Sequence, residues 1–244
     1  KIKATLSFLL LIIVSFLIIQ SHPVYAANIV VNTTDDELNS DGDCSLREAI
    51  KSANTDTAVD ACTAGSGTDI ITVPAGLYTL GILGAGENAN ATGDLDITSP
   101  LTISGAGAAS TIIDGGGIDR VFEIHPGAMG QINAVTVRNG NPGAGFGAGG
   151  ILNSGTLTIT NSTVTNNTGD NFGGGLYSLG TMTLNDTTVS DNILLGSNDS
   201  GGGGGIFNSG TLTLTRTTVS GNSTIGRGGG IYNIDSSLNI TNST

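Results

Sequence analysis

The residues able to do chemistry are few, and they fall in short stretches. Asp94 and Asp96 alternate across one residue, which would place both on one strand face. Paired carboxylates of this kind serve glycoside cleavage. No aspartate column supports them downstream, since Asp170, Asp186, Asp191, Asp199 and Asp235 occupy unrelated registers. Arg120, Arg138, Arg216 and Arg227 show no partner cluster, so no catalytic residue is assigned. Asp35, Asp36, Glu37, Asp41 and Asp43 crowd one loop and offer hard oxygen donors for calcium. An EF-hand would need a Glu at its closing position and none is there, so the alternative is a solvated acidic turn. Cys44 and Cys62 are the only cysteines. In an oxidising compartment they predict a disulfide, with a loop-closure contribution of about 3 kcal/mol. Two cysteines cannot complete a four-ligand zinc site. A cysteine nucleophile would want a histidine close by, and His125 is distant in sequence.

The fourth candidate is a repeated phrase. Gly149-Gly150-Ile151-Leu152-Asn153-Ser154-Gly155-Thr156-Leu157-Thr158-Ile159-Thr160 returns from Gly174 and from Gly204, and a further copy opens at Gly229. Each full copy closes on a matching tail: Thr163 to Asn167, Thr188 to Asn192, and Thr218 to Asn222. Leu157, Ile159 and Val164 alternate with threonines, the period-two signature of a strand with one buried face. The copies start at Ile151, Leu176, Ile206 and Ile231, too close for a helical crossover in each unit. Stacked coils of short parallel strands fit, each burying the apolar face of the next. Leu157, Met182 and Leu212 should then stack, as should Val164, Val189 and Val219. Asn167, Asn192 and Asn222 should form an amide column, and Ile193 to Gly203 should bulge as a loop. Facing outward, Thr156, Thr158, Thr160, Thr181, Thr183, Thr211, Thr213 and Thr215 would form a flat hydroxyl array, a candidate binding face. Such ladders resemble those of ice-binding solenoids, although the insertion after Asn192 breaks the regularity that lattice matching needs. Strand propensity on a wet face would also place threonine there.

Other elements must position these. Residues 1–26 read as a secretory signal: Lys1 and Lys3, an apolar run from Leu6 to Ile19, and Val24-Tyr25-Ala26 as the cleavage site. The run is short for a membrane span, so no span is expected in the mature chain. Residues 27–68 form an N-terminal cap: a strand at Asn28 to Asn32, then a helix opened by Ser45 with Glu48 as its capping-box partner. Leu46, Ala49, Ile50 and Ala53 fall on one helical face, suited to covering the open end of a solenoid. Residues 69–244 are the β-helix. Its earlier strands are expected at Ile70–Val73, Leu77–Leu80, Leu95–Ile97, Leu101–Ile103, Thr111–Ile113, Val121–Ile124 and Ile132–Val137. Thr244 falls where a residue like Val164 is due, so the β-helix is expected to be C-terminally incomplete. The chain carries a net charge of −12, and its lysines are Lys1, Lys3 and Lys51 alone, which argues against nucleic-acid binding.

Asp43-Cys44-Ser45-Leu46-Arg47-Glu48-Ala49-Ile50, followed by Ala53-Asn54, resembles the CSLREA-type N-terminal motif of secreted bacterial parallel β-helix proteins. Asp69 to Leu80, Leu101 to Gly107 and the Gly-Gly-Ile-x-Asn repeats are similar to that pectin-lyase-like family, so the resemblance covers nearly all of the mature chain. It implies an all-β, right-handed parallel β-helix in a secreted or cell-surface location, and no catalytic residues. Related folds that eliminate uronates imply a basic proton acceptor and usually calcium. The expected function is a structural, adhesive or binding module for extracellular glycans or surface proteins, without a cofactor unless calcium sits in the acidic loop. The rival is a polysaccharide lyase or glycoside hydrolase on the same scaffold.

Overall fold

The structure, a computed structural model, describes residues 25–144, 147–196 and 201–244. Residues 1–24, most of the expected leader, therefore lie outside the described residues. β1 (Asn28–Val30) and α1 (Leu46–Thr55) come first. Coils then follow as β2 (Asp69–Val73), β3 (Gly76–Thr79) and β4 (Leu95–Ile97); β5 (Leu101–Gly105), β6 (Thr111–Asp114) and β7 (Phe122–Ile124); and β8 (Met129–Asn133), β9 (Thr136–Arg138) and β10 (Ile151–Asn153). Longer coils add a short extra strand: β11 (Thr156–Thr160), β12 (Thr163–Thr165), β13 (Thr168–Gly169) and β14 (Leu176–Ser178), then β15 (Thr181–Asn185), β16 (Thr188–Ser190), β17 (Ile193–Leu194) and β18 (Ile206–Asn208). The last are β19 (Thr211–Thr215), β20 (Thr218–Ser220), β21 (Ser223–Thr224), β22 (Ile231–Asn233) and β23 (Ser237–Thr241).

Each coil visits the same faces in turn, so strands far apart in sequence lie side by side. The long sheet has eight strands in the order β1-β2-β5-β8-β11-β15-β19-β23; two six-stranded sheets and one three-stranded sheet complete the walls. Strand pairing within these sheets is parallel, the hallmark of a β-solenoid. Inside the long sheet, Ile29, Ile71, Ile103, Ile132, Ile159, Leu184 and Leu214 form one buried column. Fully burying such a side chain contributes about 1.5–3 kcal/mol, so narrow ladders replace the aromatic core that this composition lacks. The expected stacks Leu157–Met182–Leu212 and Val164–Val189–Val219 are in register.

The repeat tails have a local cause. Asn166, Asp191 and Gly221 turn the corner at φ 55°, 55° and 64°, a left-handed conformation that Asn, Asp and Gly tolerate best. The asparagine that follows turns inward. Asn167 Nδ2 donates to Asn192 Oδ1, and Asn192 Nδ2 to Asn222 Oδ1, each at 2.9 Å. The glycine pairs make room for this ladder: a Cβ on Gly175 would sit 2.8 Å from Asn192 Nδ2.

Two expected spans differ. Ile132–Val137 is not one strand, because Ala134 adopts φ 58° and turns the chain between β8 and β9. Ile193 and Leu194 belong to β17, paired with β13 and β21, so the insertion begins only after them. Part of that insertion, residues 197–200, lies outside the described residues.

α1 forms as expected. Ser45 Oγ accepts from the Glu48 backbone N–H, and Glu48 Oε2 accepts from the Ser45 N–H. The helix packs against β1, β2 and β4, and β1 and β4 are the terminal strands of their sheets. Cys44 and Cys62 form a disulfide across 4.9 Å between Cα atoms. Among the described residues, no helix is long and apolar enough to cross a membrane.

Candidate functional site

The outward face of the long sheet is the most extended regular surface. Thr156, Thr181, Thr211 and Ser237 form one column; Thr158, Thr183, Thr213 and Asn239 form the second; Thr160, Asn185, Thr215 and Thr241 form the third. Earlier strands continue these columns through Met129, Gln131 and Asn133, then Thr102 and Ser104, Ile70 and Thr72, and Asn28 and Val30. None of these residues is ionisable, although the chain carries a net charge of −12. Hydroxyl and amide groups thus recur about every 4.8 Å across the strands and about every 7 Å along them. The unbroken grid runs about 14 Å from β11 to β23 at that spacing, and Met129, Ile70 and Val30 interrupt its columns on the earlier strands.

A second site lies where β4 meets β7. Asp96 pairs in register with Glu123. His125 Nε2 is 2.8 Å from Asp96 Oδ1. On the other carboxylate oxygen, Asp96 Oδ2 accepts the Asn90 backbone N–H at 2.8 Å. Arg120 sits beside Glu123, with Nη1 2.9 Å from Glu123 Oε2 and Nε 3.0 Å from Asp94 Oδ2. The latter is a charge contact without hydrogen-bond alignment: both Asp94 carboxylate oxygens lack a hydrogen bond, as does Asp119 Oδ2. The Asp94 and Asp119 side chains are each 1% exposed, against 14% for Glu123 and 16% for His125. Burial pushes the Asp94 carboxyl up to about 8; Arg120 opposes this, and Asp119, Asp96 and Glu123 add to it. Burial also raises Asp96, opposed by its bonds to His125 and Asn90. A carboxyl group protonated at neutral pH therefore stands two residues from an imidazole-bonded carboxylate, an arrangement able to donate and accept protons.

Sequence reading found Asp94 and Asp96 here but missed Asn90, Asp119, Arg120, Glu123 and His125. The last four arrive from the next coil, so only the register of β4 on β7 reveals them. The arginines do have partners: besides Arg120, Arg138 pairs with Asp114 at 2.7 Å and Arg216 with Asp186 at 2.6 Å.

The acidic loop divides. Asp36 leaves the candidate calcium donors, because it pairs with Arg47 at 2.6 Å and accepts the backbone N–H groups of Gly81 and Ile82. Asp41 and Asp43 converge instead with Glu37, their donor atoms lying within 4.8 Å of one another. The Glu37 carboxyl is raised by desolvation, then by the charges of Asp41 and Asp43. Asn39 bridges this group, its Nδ2 donating to Glu37 Oε2 at 2.6 Å and to Asp41 Oδ2 at 3.2 Å. Asp35 stands outside that cluster.

The column that begins with Asp96 and Glu123 continues as Leu152, Tyr177, Phe207 and Tyr232. These last four are the variable residues of the Gly-Gly-Ile-x-Asn phrase. Phe172 joins them, its ring centroid 5.2 Å from Tyr177 and 4.8 Å from Phe207. No family model, no curated protein and no solved structure matches the chain.

Proposed function

We propose that this chain is a secreted or cell-surface module of the CSLREA type. In this reading it is a right-handed, pectin-lyase-like β-helix whose long uncharged face binds neutral extracellular glycans. One observation carries the proposal: three columns of hydroxyl and amide side chains, free of ionisable groups, on a strongly acidic protein. Such a face donates and accepts hydrogen bonds at regular intervals and pays no penalty for burying charge. It is also long and flat, as binding faces of solenoids commonly are. The disulfide and the leader-like residues 1–26 support passage into an oxidising compartment. The packing of α1 on terminal strands supports its role as a cap over apolar coil ends.

The test is a pull-down on insoluble neutral polysaccharides, with an acidic polymer as control. The protein should partition onto a neutral polymer, Thr183→Val with Thr213→Val should weaken that binding, and Thr183→Glu should abolish it. Binding that survives these changes but disappears when residues 193–203 are deleted would move the site to the loop.

A lyase or hydrolase on the same scaffold is the second reading, favoured by the protonated Asp94 beside the Asp96–His125 pair. Release of reducing ends or unsaturated uronates by the wild type, lost in Glu123→Gln, would replace the binding-module reading.

A further inference from the structure

We propose that Asp96, Glu123 and His125 bind one divalent transition ion of the zinc type. Their donor atoms, two carboxylate oxygens and one imidazole nitrogen, lie within 4.8 Å of one another. The strand pairing that sets Asp96 beside Glu123 brings them together, with His125 two residues farther along. The surroundings already orient them. The Asn90 N–H holds Asp96 Oδ2, which turns Oδ1 towards His125. Arg120 holds Glu123 Oε2, which leaves Oε1 for an ion. Partners of this kind fix ligand geometry around metals generally.

Charge supplies an independent reason. Asp94, Asp119 and Glu123 share the guanidinium of Arg120, Asp96 faces only the imidazole of His125, and Arg47 is taken by Asp36. Asp94 and Asp119 are almost wholly buried, yet three of their carboxylate oxygens accept no hydrogen bond. Even with Asp94 carrying a proton, the carboxylates of Asp96, Asp119 and Glu123 outnumber the one guanidinium beside them, and such an excess favours a cation. Asp119 also offsets Arg120, which weakens the repulsion of an ion at the other three residues. In the ion-free protein, a proton between His125 Nε2 and Asp96 Oδ1 closes the 2.8 Å gap; the ion takes its place, and the neutral imidazole then carries its N–H on Nδ1. An imidazole nitrogen among the donors favours zinc over calcium, which takes oxygen ligands, and Mn²⁺ serves as a paramagnetic probe of the same mixed donor set.

The experiment uses the full chain carrying His22→Ala, so that His125 is its one histidine. After chelator treatment and dialysis, Zn²⁺, Mn²⁺ and Ca²⁺ are titrated calorimetrically. Nitrogen modulation from a coordinated imidazole is then read on bound Mn²⁺ by pulsed electron paramagnetic resonance. The expected result is one equivalent of Zn²⁺ or Mn²⁺, a ¹⁴N signal, and about tenfold or greater loss of affinity in both Glu123→Gln and His125→Asn. Circular dichroism confirms that each variant is folded, and either variant alone suffices for the comparison. Failure of Zn²⁺ and Mn²⁺ to bind overturns the proposal, as does Mn²⁺ binding without the ¹⁴N signal. Preference for Ca²⁺ with affinity unchanged in His125→Asn also overturns it and moves the ion to the loop of Glu37, Asp41 and Asp43.

Discussion

Arg47 lies 2.6 Å from Asp36 with its guanidinium wholly buried, and the same group donates to the carbonyl oxygens of Gly93 at 2.8 Å and Asp94 at 3.1 Å. One side chain of α1 thus joins the acidic loop to the segment entering β4. Breaking a buried ion pair from one side leaves the other charge uncompensated, a loss of about 3–5 kcal/mol. Arg47→Met should therefore lower unfolding free energy in urea by that order. Arg47→Lys should recover little, because an ammonium cannot reproduce the forked contact. A loss under about 1 kcal/mol for Arg47→Met would show that the pair does not hold the helix, since that is the range of solvent-exposed pairs.

Asn192 is a comparable joint in the repeats. Its amide accepts from the Asn167 side chain at 2.9 Å and from the Asn167 backbone at 3.0 Å, and it donates to Val164 O at 3.0 Å. Replacing it with Leu orphans the Asn167 backbone N–H on one side and removes the donor to Asn222 Oδ1 on the other, each loss costing about 1–3 kcal/mol. Asn192→Leu should lower the melting temperature more than Asn166→Leu, which alters the exposed corner beside the ladder. Equal shifts for the two would mean that the amide column is not what secures the coils.

Much of this architecture was legible because its causes are local or periodic. The alternation Thr156-Leu157-Thr158-Ile159 states which face is buried, and repetition states what stacks on what. Ser45 and Glu48 declare the start of α1 in the same way. The site around Asp96 was not legible, because β4 and β7 belong to the irregular early coils and share no phrase that aligns Asp96 with Glu123. Arg47 and Glu48 also sit on what looks like the polar side of an amphipathic helix, yet both are fully buried. Helical periodicity marks apolar residues and cannot show that a charged one has found its partner inside.

The pH dependence follows from Asp94. Its carboxyl titrates near 3.8 when unfolded and is raised to about 8 by burial in the fold. Between these values the folded state holds a proton that the unfolded chain has lost. This stabilisation is complete below about 3.8 and fades as pH rises to about 8, a span on the order of 5 kcal/mol if Asp94 titrates alone. Asp94→Asn cannot ionise. With chelator present throughout, the variant should therefore gain stability relative to wild type as pH rises from 4 to 8. Parallel stability–pH curves for the two proteins would show that Asp94 does not carry the buried proton.

The last prediction separates the inner ladder from the outer face. Val189 is fully buried between Val164 and Val219, so Val189→Ala removes methyl groups where neighbouring coils cannot close the gap. Lost burial plus the cavity should cost about 1–3 kcal/mol. Thr183 lies on the long sheet's outer face between Thr158 and Thr213. Thr183→Val keeps the β-branched shape and removes only the hydroxyl, so stability should move by less than about 0.5 kcal/mol. Equilibrium urea melts of the two variants give both values under one condition. If Thr183→Val destabilises as much as Val189→Ala, the outer hydroxyls form structural bonds along their column and are not free to meet a ligand. If only Val189→Ala destabilises, the fold rests on the inner column and the outer hydroxyls remain available for glycan contact.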